Sequence, residues 1–171
     1  MPGSVEGYLF DMGDFMVTEQ NIEKLISSVE QAVQSAVAFF EANSDSEARL
    51  DLWTPREVLC HMIYWHQATL DGMTSVAAGG EALRIYASTD EMNARSVGRQ
   101  AGQSVVQLIE QLNPIQEGLI SAARSTPDAN AVVLISGSGA EMSTVQRLER
   151  IANHWNEHLE EMKKALHPLN T

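Results

Sequence analysis

The sequence predicts an all-α fold, a four-helix bundle with a long crossover connection. Three observations predict it: apolar residues recur at spacings of three and four along four long segments, helix-start and helix-stop residues bracket those segments, and there is no strong strand signal. A chain of 171 residues with 44% hydrophobic content is enough for one sizeable core. Residues 18–168 are therefore expected to form a single bundle domain, preceded by an arm at 1–17 in which Gly3, Gly7 and Gly13 break up the apolar residues.

In the first helix Ile22, Leu25, Ile26, Val29, Val33, Ala36 and Phe40 lie on one face, with Thr18 able to cap it and the polar stretch Asn43-Ser44-Asp45-Ser46 turning the chain. The second has the clearest start: Thr54 as N-cap, Pro55 at the first helical position, and Glu57 placed to close a capping box. Trp53, just before the cap, can staple the entry on Val58 or a neighbouring helix, and Gly79-Gly80 ends the run. The crossover, Glu81 to Gly102, gains helical content around Thr89 to Arg99 from Asp90, Glu91 and Asn93.

The third helix carries Val105, Leu108, Ile109, Leu112, Ile115, Leu119 and Ala123 in phase across Pro114, which predicts one bent helix and not two. Thr126 to Ser143 reads as a loop whose apolar run, Ala131 to Ile135, can form a short extended segment over a bundle end. The last helix starts near Ser143 or Thr144, and its stripe of Val145, Leu148, Ile151, Ala152, Trp155, Leu159, Met162 and Leu166 ends before Pro168.

The formal charge of −12, from 23 acidic against 11 basic residues, disfavours a phosphate backbone as a partner. Arg84, Arg95, Arg99, Arg124, Arg147, Arg150, Lys163 and Lys164 are scattered among acids and read as a solvated surface, so no nucleic acid is expected. One cysteine, Cys60, excludes an internal disulfide and fits a reducing compartment. There is no basic stretch followed by a long apolar run at the N-terminus, and no run of about 18 apolar residues, so no membrane and a soluble cytoplasmic chain are expected.

Chemistry is concentrated in the histidines. His154 and His158, four apart in the last helix, project about 40° from each other on one face. The apolar stripe centres near Trp155 and Leu159, leaving His158 on its flank and His154 at its boundary. In the second helix His61 is similarly offset from the stripe of Val58, Met62 and Trp65. Three imidazoles meeting from two helices would leave a metal with open positions, as in catalytic rather than closed structural sites. Spacing alone does not show that they meet; partly exposed, hydrogen-bonded histidines are the alternative.

The stretch Trp53-Thr54-Pro55-Arg56-Glu57-Val58-Leu59-Cys60-His61-Met62 resembles the tryptophan, helix start and first metal histidine of the DinB/YfiT-like family. Ile151-Ala152-Asn153-His154-Trp155-Asn156-Glu157-His158 resembles its terminal helix with two further ligands, and Asp90-Glu91-Met92-Asn93-Ala94-Arg95 its middle section. The resemblance runs from about Thr18 to Leu166, on short motifs. It implies a four-helix bundle, often dimeric, with a zinc or nickel ion held by His61, His154 and His158. The related enzymes include bacillithiol transferases and a mycothiol-dependent maleylpyruvate isomerase. The resemblance therefore implies a metal-dependent enzyme acting on a small molecule, by thiol transfer to an electrophile or thiol-dependent isomerisation, with a low-molecular-weight thiol as cosubstrate and a homodimeric state. The alternative is a non-catalytic bundle that binds a metal, an apolar ligand or a partner protein.

Other readings are weaker. His154-Trp155-Asn156-Glu157-His158 fits the H-x-x-E-H pattern of inverted zinc peptidases, but Glu157 points away from the apolar stripe. The paired Glu-x-x-His motifs of a di-iron bundle are absent. Glu57 either orients His61 or only caps its helix. Cys60 reads as a buried small hydrophobe, and no function is assigned to His66 or His167.

Overall fold

The structure, a computed structural model, describes the backbone of residues 12–166 and the side chains of residues 21–166. Four long helices form the frame: α1 (Met12–Ala42), α2 (Pro55–Ala77), α4 (Val105–Ser125) and α5 (Thr144–Leu166). The start of α1 falls within the segment expected as an arm; residues 1–11 lie outside the described residues. α1 packs against α5 and α4, and α2 packs against α4 and α5, so the four surround one core. Each contributes its apolar stripe, with Ile26, Val29 and Phe40 from α1, Leu59 and Met62 from α2, Leu108, Leu112 and Leu119 from α4, and Leu148 and Trp155 from α5, all buried.

Local chemistry sets the helix starts. Thr54 accepts from the Glu57 backbone N–H while the Glu57 carboxylate accepts from the Thr54 N–H at 2.8 Å, closing the expected capping box, and Pro55 follows at the first helical position. Ser104 and Gln107 form a second reciprocal box at α4, which runs as one helix through Pro114.

The expectation of an all-α four-helix bundle is corrected. Among the described residues there are five helices, the fifth being α3 (Thr89–Arg99) in the crossover, and a three-stranded mixed sheet. The strands are β1 (Leu83–Arg84), β2 (Val132–Ile135) and β3 (Glu141–Ser143), in the order β1-β2-β3. β2 is parallel to β1, with Leu83 opposite Leu134, and antiparallel to β3, with Leu134 opposite Met142. The physical reason is backbone pairing: burying the Val132–Ile135 run would orphan its N–H and C=O groups, and segments on either side supply partners.

The sheet lies on α2 and closes a small satellite core of Ala68, Ile85 and Leu134, edged by Trp65, Leu83, Met92 and Met142. Contact is closest at Gly72, where a Cβ would sit 2.1 Å from the Val133 carbonyl oxygen, so only glycine allows α2 and β2 to approach this far. This satellite core fixes Trp65 and the start of α3 beside one end of the frame. No helix among the described residues is long and apolar enough to cross a membrane.

Candidate metal centre

His61 lies two turns into α2, and His154 and His158 stand one turn apart on α5. Their packing brings the three rings together. His154 Nε2 lies 2.9 Å from His61 Nε2 and 3.0 Å from His158 Nε2, and one ligand atom from each ring lies within 4.8 Å of the others. His61 is buried; His154 and His158 are half-buried. Trp53 packs against His61 with ring centroids 5.2 Å apart and the planes tilted by 43°, which places the residue before the cap beside the cluster.

Hydrogen bonding on the far side of the rings decides which nitrogens carry protons. The Trp65 indole N–H, which can only donate, reaches Asn93 Oδ1 at 2.9 Å and so identifies that atom as the amide oxygen. The same oxygen lies 2.8 Å from His61 Nδ1, which must therefore donate to it. His158 Nδ1 donates to the Glu161 carboxylate at 3.0 Å. In the neutral tautomers this leaves bare lone pairs on the Nε2 atoms of His61 and His158, both directed at His154.

The rings are held neutral. Burial, followed by the neighbouring His158, pushes His61 down to about 4 against the raising effect of its Asn93 bond. Burial, followed by His61, His158, Arg150 and Arg147, pushes His154 down to about 2. His158 is also lowered by burial, with Glu161 opposing. Three neutral imidazoles thus share at most one proton between their facing Nε2 atoms. A donor set short of protons and rich in lone pairs fits a cation, and its nitrogen chemistry suits zinc and nickel alike.

A cavity of about 210 Å³ opens on the cluster, lined by His61, His154, Trp65, Met142, Arg147 and Arg150 among others. Arg147 corrects the reading of the basic residues as solvated surface: it is only 4% exposed. It stands seven residues before His154, in phase with His154 and His158 on α5, and that phase is the signal that places it. Asn93 was read as favouring a helical turn and as part of the stretch resembling the family's middle section; nothing in the sequence distinguishes it as the support of His61.

The remaining candidates fall elsewhere. Glu57 is engaged with Thr54 in the capping box, which assigns it to the helix end. Cys60 is buried, and although Arg56 donates to its sulfur at 3.5 Å, burial outweighs that contact and raises the thiol's pKa, leaving it protonated. Glu157 is exposed and pairs with Arg150 at 3.3 Å. His66 is buried away from the cluster and accepts from the Trp155 indole N–H at 3.2 Å; His167 lies outside the described residues.

Long helices closing three imidazoles around one point, with a cavity alongside, define a helical protein with a candidate trihistidine metal centre. The DinB superfamily model matches residues 17–162, most of the chain, and the protein belongs to that superfamily. Neither a curated protein nor a solved structure matches it.

Proposed function

We propose that the protein is a metal-dependent enzyme acting on a small molecule, with His61, His154 and His158 as ligands to one zinc or nickel ion. The observation that carries this reading is the pair of lone pairs, on His61 and His158, directed at the Nε2 of His154. A bound divalent ion supplies Lewis acidity, lowering the pKa of a thiol or water so that its anion is available at neutral pH. The chain's own groups do the rest. Asn93 and Glu161 fix the ring orientations, burial keeps the imidazoles unprotonated, and Trp53 packs against the His61 ring.

Within this reading, thiol transfer to an electrophile or thiol-dependent isomerisation is the reaction class, supported by the superfamily membership and by a cavity open beside the ligands. The absence of an activated cysteine in the site fits a thiol supplied from solution. Elemental analysis of protein purified without a histidine tag should find about one equivalent of metal, lost in His158→Ala. A screen of low-molecular-weight thiols against small electrophiles should then show activity that depends on the ion. Protein that stays metal-free after zinc or nickel is offered, with His158→Ala unchanged in stability, overturns the reading.

A further inference from the structure

Formal charge in the lining of the cavity beside the histidines is of one sign. Among the residues lining it are Arg147 and Arg150, and none is acidic, in a chain with 23 acidic residues and 11 basic ones. Arg150 is half-exposed and its partner Glu157 lies on the solvent side. Arg147 is buried and makes no ion pair among the described residues. Its Nε and Nη2 both donate to the Thr69 hydroxyl, at 3.0 and 2.7 Å, and its Nη1 finds only the Met142 thioether at 3.6 Å.

A guanidinium removed from water without a counter-charge is costly, and a hydroxyl and a thioether orient it without neutralising it. Burial pushes its pKa down to about 10, which still leaves it charged. Thr69 in turn donates to the Trp65 carbonyl at 2.9 Å, so the arginine is held in place by the same helix that carries His61. Nη1 has no strong acceptor, and Nη2 keeps a second N–H beyond the one given to Thr69, so one N–H from each is left to meet the two oxygens of a carboxylate. Neutral histidine ligands would also leave a bound divalent ion's charge uncompensated.

We infer that Arg147, assisted by Arg150, binds a carboxylate on the substrate and holds it against the histidine cluster. This rests on the metal-enzyme reading for the word substrate, though the anion site itself stands on the two arginines. The cavity volume of about 210 Å³ is below the roughly 300–1,000 Å³ of drug-sized ligand pockets, so the ligand is a small organic acid.

The test uses succinate and its uncharged diamide, succinamide, titrated into the full chain by calorimetry, with and without one equivalent of zinc. Succinate should bind and succinamide should not, and Arg147→Met should weaken succinate about tenfold or more while zinc stoichiometry is unchanged. Equal binding of the two probes, or succinate affinity untouched in Arg147→Met, overturns the inference. Should Arg147→Met not fold, Arg150→Ala reads the same charge dependence: about threefold weaker succinate is expected, and no change overturns it. Failure to bind zinc, with the succinate preference intact on metal-free protein, sinks the metal reading alone. One equivalent of zinc without any succinate preference sinks the carboxylate site alone.

Discussion

Asn93 Oδ1 accepts from His61 Nδ1 at 2.8 Å while also accepting from the Trp65 indole, so an amide on the short crossover helix sets the tautomer of a histidine on α2. Asn93→Leu removes the acceptor and leaves two donors without it, costing about 2 kcal/mol or more of stability. Zinc affinity should fall about 10–100-fold, because His61 is then free to rotate or to present the wrong nitrogen. Asn93→Asp keeps an acceptor and should retain affinity. Competition titration against a zinc-binding dye checks both, and unchanged affinity in Asn93→Leu would show that the ring is held by packing alone.

What was legible in the sequence was local. Thr54, Pro55 and Glu57 lie within one turn, so their capping chemistry needs no knowledge of the rest of the chain, and the i, i+4 spacing of His154 and His158 places them on one face from covalent geometry. The sheet was hidden because Leu83-Arg84 is too short to show any period, and becomes a strand only when Leu134 and Ile135, far along the chain, pair with it. Asn93 was hidden for a related reason, since its acceptor role exists only where α3 meets α2. Arg147 was misread because its charge was weighed without its phase on α5.

Glu57 provides a control, since sequence alone allowed it a part in orienting His61. Its carboxylate accepts from the Thr54 backbone N–H at 2.8 Å and contacts the Thr54 hydroxyl at 3.1 Å, four residues before the histidine. Glu57→Ala should therefore cost about 1 kcal/mol in urea unfolding, as loss of a helix cap does. Zinc affinity should stay within about twofold, on the scale where a lost supporting hydrogen bond shows as 10–100-fold. A tenfold loss of affinity would return Glu57 to the metal centre.

Acid should destabilise the metal-free protein in a defined window. His61 and His66 are pushed down by burial to about 4 from the ordinary 6.5, and His154 further, to about 2. Above 6.5 these rings are neutral in both states and contribute no pH dependence. Between 6.5 and 4 the unfolded chain takes up protons that the folded chain refuses, so stability falls as pH falls. The lowered carboxylates, Glu23 and Glu160, start from 4.5, so they add to the decline only at the acid end of this range. Urea midpoints measured from about pH 8 to pH 4 should be flat at first and then decline below about 6.5. A midpoint constant down to pH 5 would mean that these rings are not buried neutral.

The seat of the sheet on α2 can be tested at Gly72. A Cβ there would lie 3.1 Å from the Val133 carbonyl carbon and 2.1 Å from its oxygen, the latter closer than any side chain tolerates. The obstacle is backbone in the middle strand, paired on one side with β1 and on the other with β3, so it cannot yield without disturbing both ladders. Gly72→Ala should cost about 2–3 kcal/mol, in the upper range for overpacking. Because the histidines stand on α2 and α5 and not on the sheet, zinc stoichiometry should survive. The cavity wall should not, since Ser136 and Met142 flank the displaced strand, and succinate binding should weaken with it. Thermal melts and paired zinc and succinate titrations separate the two effects. Wild-type stability in Gly72→Ala would show that β2 is not seated on α2 at this point.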